Sequence, residues 1–101
     1  MNERLHGFLG LLNRGGSLLI GDDLRLHLFK VDLLLLAIDA KEGTKKSYEE
    51  KAAHRKLDFQ YVGSKEELGH AIGYDEVSAI GIKGRKAAEK IRAILREGEK
   101  A

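Results

Sequence analysis

The chain reads as one α/β domain, a sheet held between helical layers, and three observations carry that reading. Helix-type and strand-type segments alternate along the whole length, helix first and helix last. The longest apolar run, Leu33 to Ile38, is a continuous block of the kind a central strand shows when both its faces are covered. A length of 101 residues suits one domain with its own core, so residues 1–101 are read as a single unit.

Leu5, Phe8, Leu9 and Leu12 recur at helical spacing, which predicts an amphipathic helix over Glu3 to Asn13, broken by Gly15-Gly16. Leu18-Leu19-Ile20 suits a short buried strand. From Gly21 to Val31 the pattern supports two readings. Leu24, Leu26 and Leu28 alternate with polar residues, as a strand requires. Gly21-Asp22-Asp23 instead resembles a helix start with acids where the dipole favours them, and Leu24, Leu28 and Val31 share a helix face. Periodicity leaves both open.

The Leu33–Asp39 run predicts the central strand. Gly43-Thr44 then opens a charged helix to about Lys56, with Lys46 and Glu50 as an i,i+4 pair and Tyr48 with Ala52 as a thin apolar stripe. Asp58 to Val62 is a strand. Ser64-Lys65-Glu66-Glu67 is a capping box, followed by Leu68, Ala71 and Ile72 and stopped by Gly73. Val77 to Ile82 is a further strand. From Gly84 onward, Ala87, Ala88, Ile91, Ile94 and Leu95 mark the core face of a last helix, with fraying expected from Gly98.

Composition narrows the function classes. With 43% hydrophobic and 34% charged residues the chain is built to fold, and without cysteine it has neither disulfides nor a thiolate metal site. Met1 to Leu5 lacks the zones of a signal peptide and no apolar run could cross a bilayer, so a cytoplasmic protein with no membrane partner is expected. A net charge of +2 is compatible with an anionic partner without requiring one. His6, His27, His54 and His70 are scattered without metal-ligand spacing, and no serine sits in a nucleophile elbow. Asp39 ends the central run, where an enzyme can keep an acid, but has no evident partner. Neither an enzyme nor a cofactor is expected. Gly81-Ile82-Lys83-Gly84 matches the GxxG loop that clamps nucleic-acid backbones in KH domains; a strand-to-helix turn relieved by glycine accounts for it better.

Several segments together resemble one family. They are Gly10-Leu11-Leu12-Asn13-Arg14-Gly15-Gly16, Ile20-Gly21-Asp22-Asp23-Leu24, Leu34 to Ala40, Gly43-Thr44-Lys45-Lys46 and Val62 to Gly73, whose Leu68-Gly69-His70-Ala71-Ile72-Gly73 end is the most specific piece. The pattern resembles the L-seven-A-e / L-thirty-e ribosomal-protein superfamily, and within it the small bacterial YlxQ-type members. The resemblance implies a three-layer α/β/α sandwich with a mixed four-stranded sheet, and a second helix over Asp22 to Lys30. It also implies binding of structured, kink-turn-type RNA at one end of the sandwich, and a ribosome-associated accessory role with ribosomal RNA as a possible target. Gly21 would let backbone approach the RNA; Asp23, Leu24 and His27 fall on the positions that read sheared G·A pairs and meet phosphate. The Tyr74-Asp75-Glu76-Val77 loop would touch a flipped-out nucleotide. Arg14, Lys41 and Lys45 would add cationic grip.

The chain departs from that pattern at the reading positions. Asp23 can accept from guanine amino groups but donates nothing, and Leu24 does neither. The phosphate-contacting lysine is replaced by His27, a residue type mostly neutral at pH 7. Asp22 and Asp23 occupy a helix start electrostatically, where a phosphate would otherwise sit. These departures support an alternative expectation, a protein-interaction module on the same fold with weakened RNA binding.

Overall fold

The computed structural model describes residues 1–99. In chain order the elements are α1 (Glu3–Arg14), β1 (Leu18–Leu19), α2 (Gly21–Leu26), a 3₁₀ turn (Leu28–Lys30), β2 (Leu33–Leu36), α3 (Glu42–Arg55), β3 (Phe59–Tyr61), α4 (Lys65–Ala71), β4 (Ala79–Ile82) and α5 (Arg85–Glu99). The sheet order is β1-β4-β2-β3, with β4 antiparallel to β1 and β2, and β3 parallel to β2. The sheet is therefore mixed, as expected.

Strand periodicity divides the core in two. Leu33, Leu35, Ile80 and Ile82 point to one face, where they meet Leu5 and Leu9 of α1, Leu68 of α4, and Ala88, Ile91 and Ile94 of α5. Leu34, Leu36 and Ala79 point to the other face, against Leu24 of α2, Leu28 and Val31 beyond it, and Tyr48 and Ala52 of α3. This is the α/β/α sandwich, with α1, α4 and α5 on one side and α2 and α3 on the other. The Leu33–Asp39 run ends as strand at Leu36. Ala37 to Ala40 forms a turn, closed by Ala40 N–H donating to the Ala37 carbonyl.

Burial resolves the ambiguous Gly21–Val31 stretch. Leu24, Leu28 and Val31 are buried while Leu26 is 71% exposed, which is a helix face and not a strand alternation. The helix implied over Asp22 to Lys30 is shorter than that, however. It stops at His27, whose φ of −120° leaves the helical range, and resumes as one 3₁₀ turn.

β4 contains only Ala79 to Ile82, shorter than the predicted Val77–Ile82, because Val77 donates its N–H to Lys65 of α4 instead of a strand. In α3 the ion pair formed is Lys45 with Glu42 at 3.6 Å; among the described residues Lys46 and Glu50 make none. α5 continues through Gly98 to Glu99, past the point where fraying was expected, and Lys100 and Ala101 lie outside the described residues.

Both ends of β2 carry an aspartate that holds a helix start. Asp32 Oδ2 accepts from the Gly84 N–H at 2.8 Å, just before α5, and Asp39 Oδ1 accepts from the Lys65 N–H at 2.7 Å, the first residue of α4. The Gly81-Ile82-Lys83-Gly84 match is thereby a strand end and a turn into α5. Gly84 supplies the positive φ, and a Cβ on Gly81 would stand 2.5 Å from Leu24 and 2.7 Å from Val31. Gly81 is thus the gap that lets α2 and Val31 lie directly on the sheet.

The capping box of α4 is complete: Ser64 Oγ accepts from Glu67 N–H at 3.0 Å and Glu67 Oε1 accepts from Ser64 N–H at 2.9 Å. Glu67 also meets the Met1 ammonium at 2.7 Å, and that contact, followed by the Ser64 bond, holds its carboxyl below the usual carboxylate range. A depressed carboxylate stabilises the fold above its unfolded pKa and loses that contribution as pH falls through the folded value. Glu67→Gln is accordingly expected to flatten part of the stability loss on acidification, read as denaturation midpoints against pH. Gly81→Ala is expected to cost about 1–3 kcal/mol by overpacking Leu24 and Val31, measured by urea unfolding.

Candidate nucleic-acid interface

Topology gathers four chain turns at one end of the sheet. β1, β2 and β3 finish there, and the antiparallel β4 begins there. The Ile20-Gly21 turn into α2, the Ala37–Lys41 turn into α3, the Val62–Ser64 turn into α4 and the Tyr74–Ser78 loop therefore meet around one rim. A groove of about 410 Å³ opens within it, lined by Ile20, Gly21, Arg25, Thr44 and Tyr48 on one side and by Tyr74 and Glu76 to Ala79 on the other.

Gly21 opens α2 at φ +57°, and a Cβ there would meet nothing within 4 Å. Backbone angle, not crowding, calls for glycine, and the space above it is open to a ligand. The facing loop is positioned by α4. Tyr74 N–H donates to the Gly69 carbonyl at 2.9 Å, and Val77 N–H to the Lys65 carbonyl at 3.0 Å. A Cβ on Gly69 would stand 2.6 Å from Glu76 Cα and 2.9 Å from the Tyr74 oxygen, so only glycine lets this loop lie against the helix. The loop presents Tyr74, 52% exposed, to the rim.

Of the residues expected at an RNA site, the structure brings Gly21, Tyr74, Glu76 and Val77 together in the groove lining. Asp22, Asp23 and Asp75 are exposed beside them. Lys41 precedes α3 on the same rim and is exposed. Leu24 is corrected to a core position: it is fully buried against Gly81 and offers a ligand no atom. His27 also lies away from the groove lining. It ends α2, is half-buried with its ring 5.8 Å from Phe29, and its Nδ1 is buried with no hydrogen-bond partner among the described residues. Lys45 turns to the β3 side, where its ammonium pairs with Glu42 and lies 5.6 Å from the Tyr61 ring centroid. Arg14 is exposed at the end of α1, before β1 begins, whereas Gly21 follows the end of β1.

Sequence reasoning passed over Arg25, Thr44, Tyr48 and Ser78. The signal for Arg25 is its place four residues past Gly21 on the same helix face; Tyr48, part of the apolar stripe of α3, serves both the core and the groove. Arg25 is ion-paired with Asp22, whose carboxylate fixes the guanidinium charge more firmly still. Burial pushes the Tyr48 hydroxyl pKa up, while the Arg25 charge pulls it back. Asp23 has no cationic partner among the described residues. The groove therefore combines a guanidinium, hydroxyl donors and an exposed aromatic ring with an acidic lip, a set suited to reading a polar, flat-ringed ligand more than to holding phosphate by charge. Gly69→Ala is expected to dislodge the Tyr74–Val77 loop at a cost of about 1–3 kcal/mol, seen as amide shifts confined to residues 69–78 in an NMR spectrum and a lowered melting temperature.

No protein-family model matches the chain. It is 29% identical over 90 residues to a protein of Bacillus subtilis (strain 168) named RNA-binding protein YlxQ, a match that spans 86% of this chain and 90% of that one. A solved structure, described as a protein with unknown function from Bacillus halodurans C, superposes with a TM-score of 0.84 at 30% identity, covering 94% of this chain and 99% of the other. Over most of its length the chain is thus similar to a bacterial protein named for RNA binding, and it shares its fold with a second Bacillus protein.

Proposed function

We propose that this protein binds structured RNA of the kink-turn type at the rim groove, as a non-enzymatic, ribosome-associated accessory acting in the cytoplasm. The observation that carries the proposal is the meeting of the Gly21 turn with the Tyr74–Val77 loop across one open groove. The similarity to a protein named for RNA binding supports it. In this reading Gly21 admits the RNA backbone, Arg25 and Thr44 donate to base or phosphate oxygens, and Tyr74 stacks on an extruded base, while Lys41 adds charge at the edge.

The acidic lip favours a second reading, a protein-interaction module in which RNA binding has faded. Asp23 stands exposed at the helix start, and Leu24 is spent on the core. In that case the same groove serves a protein partner.

Titrating a labelled kink-turn RNA across a salt series separates the two. Phosphate-assisted binding must weaken as salt rises. Asp23→Asn is expected to tighten it roughly threefold to tenfold at low salt by removing a like charge. Arg25→Ala should weaken it and flatten the salt dependence by about one ion. Absence of binding at low salt, together with a protein partner that survives nuclease treatment, would decide for the second reading.

A further inference from the structure

The opposite end of the sandwich carries a second surface, one that goes beyond the groove reading and does not depend on it. There β2 and β3 begin and α3 ends, and a cleft of about 300 Å³ is lined mainly by Phe29, Arg55, Lys56, Asp32, Asp58 and Arg92. Its carboxylates are already engaged. Asp32 holds the Gly84 N–H, and Asp58 pairs with Arg92 at 2.9 Å. Arg55 and Lys56 are not engaged: among the described residues neither meets a carboxylate at ion-pair distance.

Phe29 is 63% exposed at the edge of this cleft. Lys30 Nζ lies 5.8 Å from its ring centroid, and the His27 ring meets it at 68°. The ring is thereby braced from within its own turn, with its remaining surface open to solvent. Lys56 has φ +56°, the only left-handed non-glycine residue among those described, at a helix end where glycine is the unstrained choice. A supported aromatic face beside uncommitted cations is the arrangement by which proteins hold single-stranded nucleic acid, one base on the ring and the adjoining phosphates on the charges. The cleft volume lies at the lower end of those that take small organic ligands.

We infer that this cleft is a separate site for unpaired RNA, with one base stacked on Phe29 and the flanking phosphates held by Arg55 and Lys56. The two ends of the sandwich would then hold different RNA segments, a folded one at the rim groove and a single-stranded one here.

Fluorescein-labelled hexauridylate, followed by anisotropy and by NMR shifts of the labelled protein, tests the site directly. Binding is expected to perturb amides at Phe29, Arg55 and Lys56 and to weaken with salt. Phe29→Ala, a change at an exposed position, should lower affinity about tenfold with the circular dichroism spectrum unchanged. Arg55→Ala with Lys56→Ala should reduce the salt slope by about 0.7 for each charge removed. The inference is overturned by any of four results: no binding, shifts confined to Gly21 and Tyr74, affinity indifferent to these variants, or equal binding of an acidic peptide of the same net charge. Failure here leaves the groove reading standing, since kink-turn binding is read on Asp23 and Arg25 variants, and shifts confined to Gly21 and Tyr74 would assign the single strand to the groove instead.

Discussion

The four leucines of β2 are fully buried, alternating between the two cores, and the rest of the molecule is arranged around that strand. Burying such a side chain stabilises the fold by roughly 1.5–3 kcal/mol, so this short segment supplies a large share of the driving force for both layers at once. It also anchors two helices. Asp32 at its start holds the Gly84 amide that leads into α5, and Asp39 past its end holds the first amide of α4, so the strand fixes where each helix enters as well as what it packs on. Moving β2 by one residue would exchange its two faces and displace both caps.

Two close approaches translate that frame into a groove. Gly81 lets α2 and Val31 sit on β4 without a side chain between them, which sets how near the Gly21 turn comes to the sheet. Gly69 does the same for the Tyr74–Val77 loop against α4, aided by the two backbone bonds that tie the loop down. The groove is the space left between these two contacts. Its geometry therefore depends on residues outside its lining, an arrangement that keeps the lining residues in place by packing instead of by their own interactions.

Charge is distributed with a different logic at the two ends. At the groove, Asp22 and Asp23 favour the start of α2 through the helix dipole, and each such acid is worth about 0.3–1 kcal/mol at an exposed position. The same acids repel phosphate, so the groove relies on shape, hydrogen bonding and stacking more than on charge. At the far end Arg92 offsets Asp58 and Asp32 is tied to a cap, so Arg55, Lys56 and Arg92 outnumber the two carboxylates by one charge next to an open aromatic ring.

How much of this was legible beforehand depended on the range of the interactions. Outside Gly21–Val31, the element types, the α4 capping box, the central strand and the core faces of α1 and α5 follow from local periodicity and local hydrogen bonding, and are readable in the residues themselves. The resemblance to a known family supplied the layer arrangement and the Gly21 turn. For Gly21–Val31 periodicity leaves helix and strand open and the resemblance implies a helix; the tertiary fold ends that helix before His27 and leaves Leu26 exposed, because the exposure of Leu26 depends on what lies across from it. The tertiary structure alone moved Leu24 into the core, turned Lys45 toward Tyr61, and brought Arg25 and Tyr48 to the groove. A single sequence records which residues are apolar or charged; which of them share a surface is set by contacts between segments far apart in the chain.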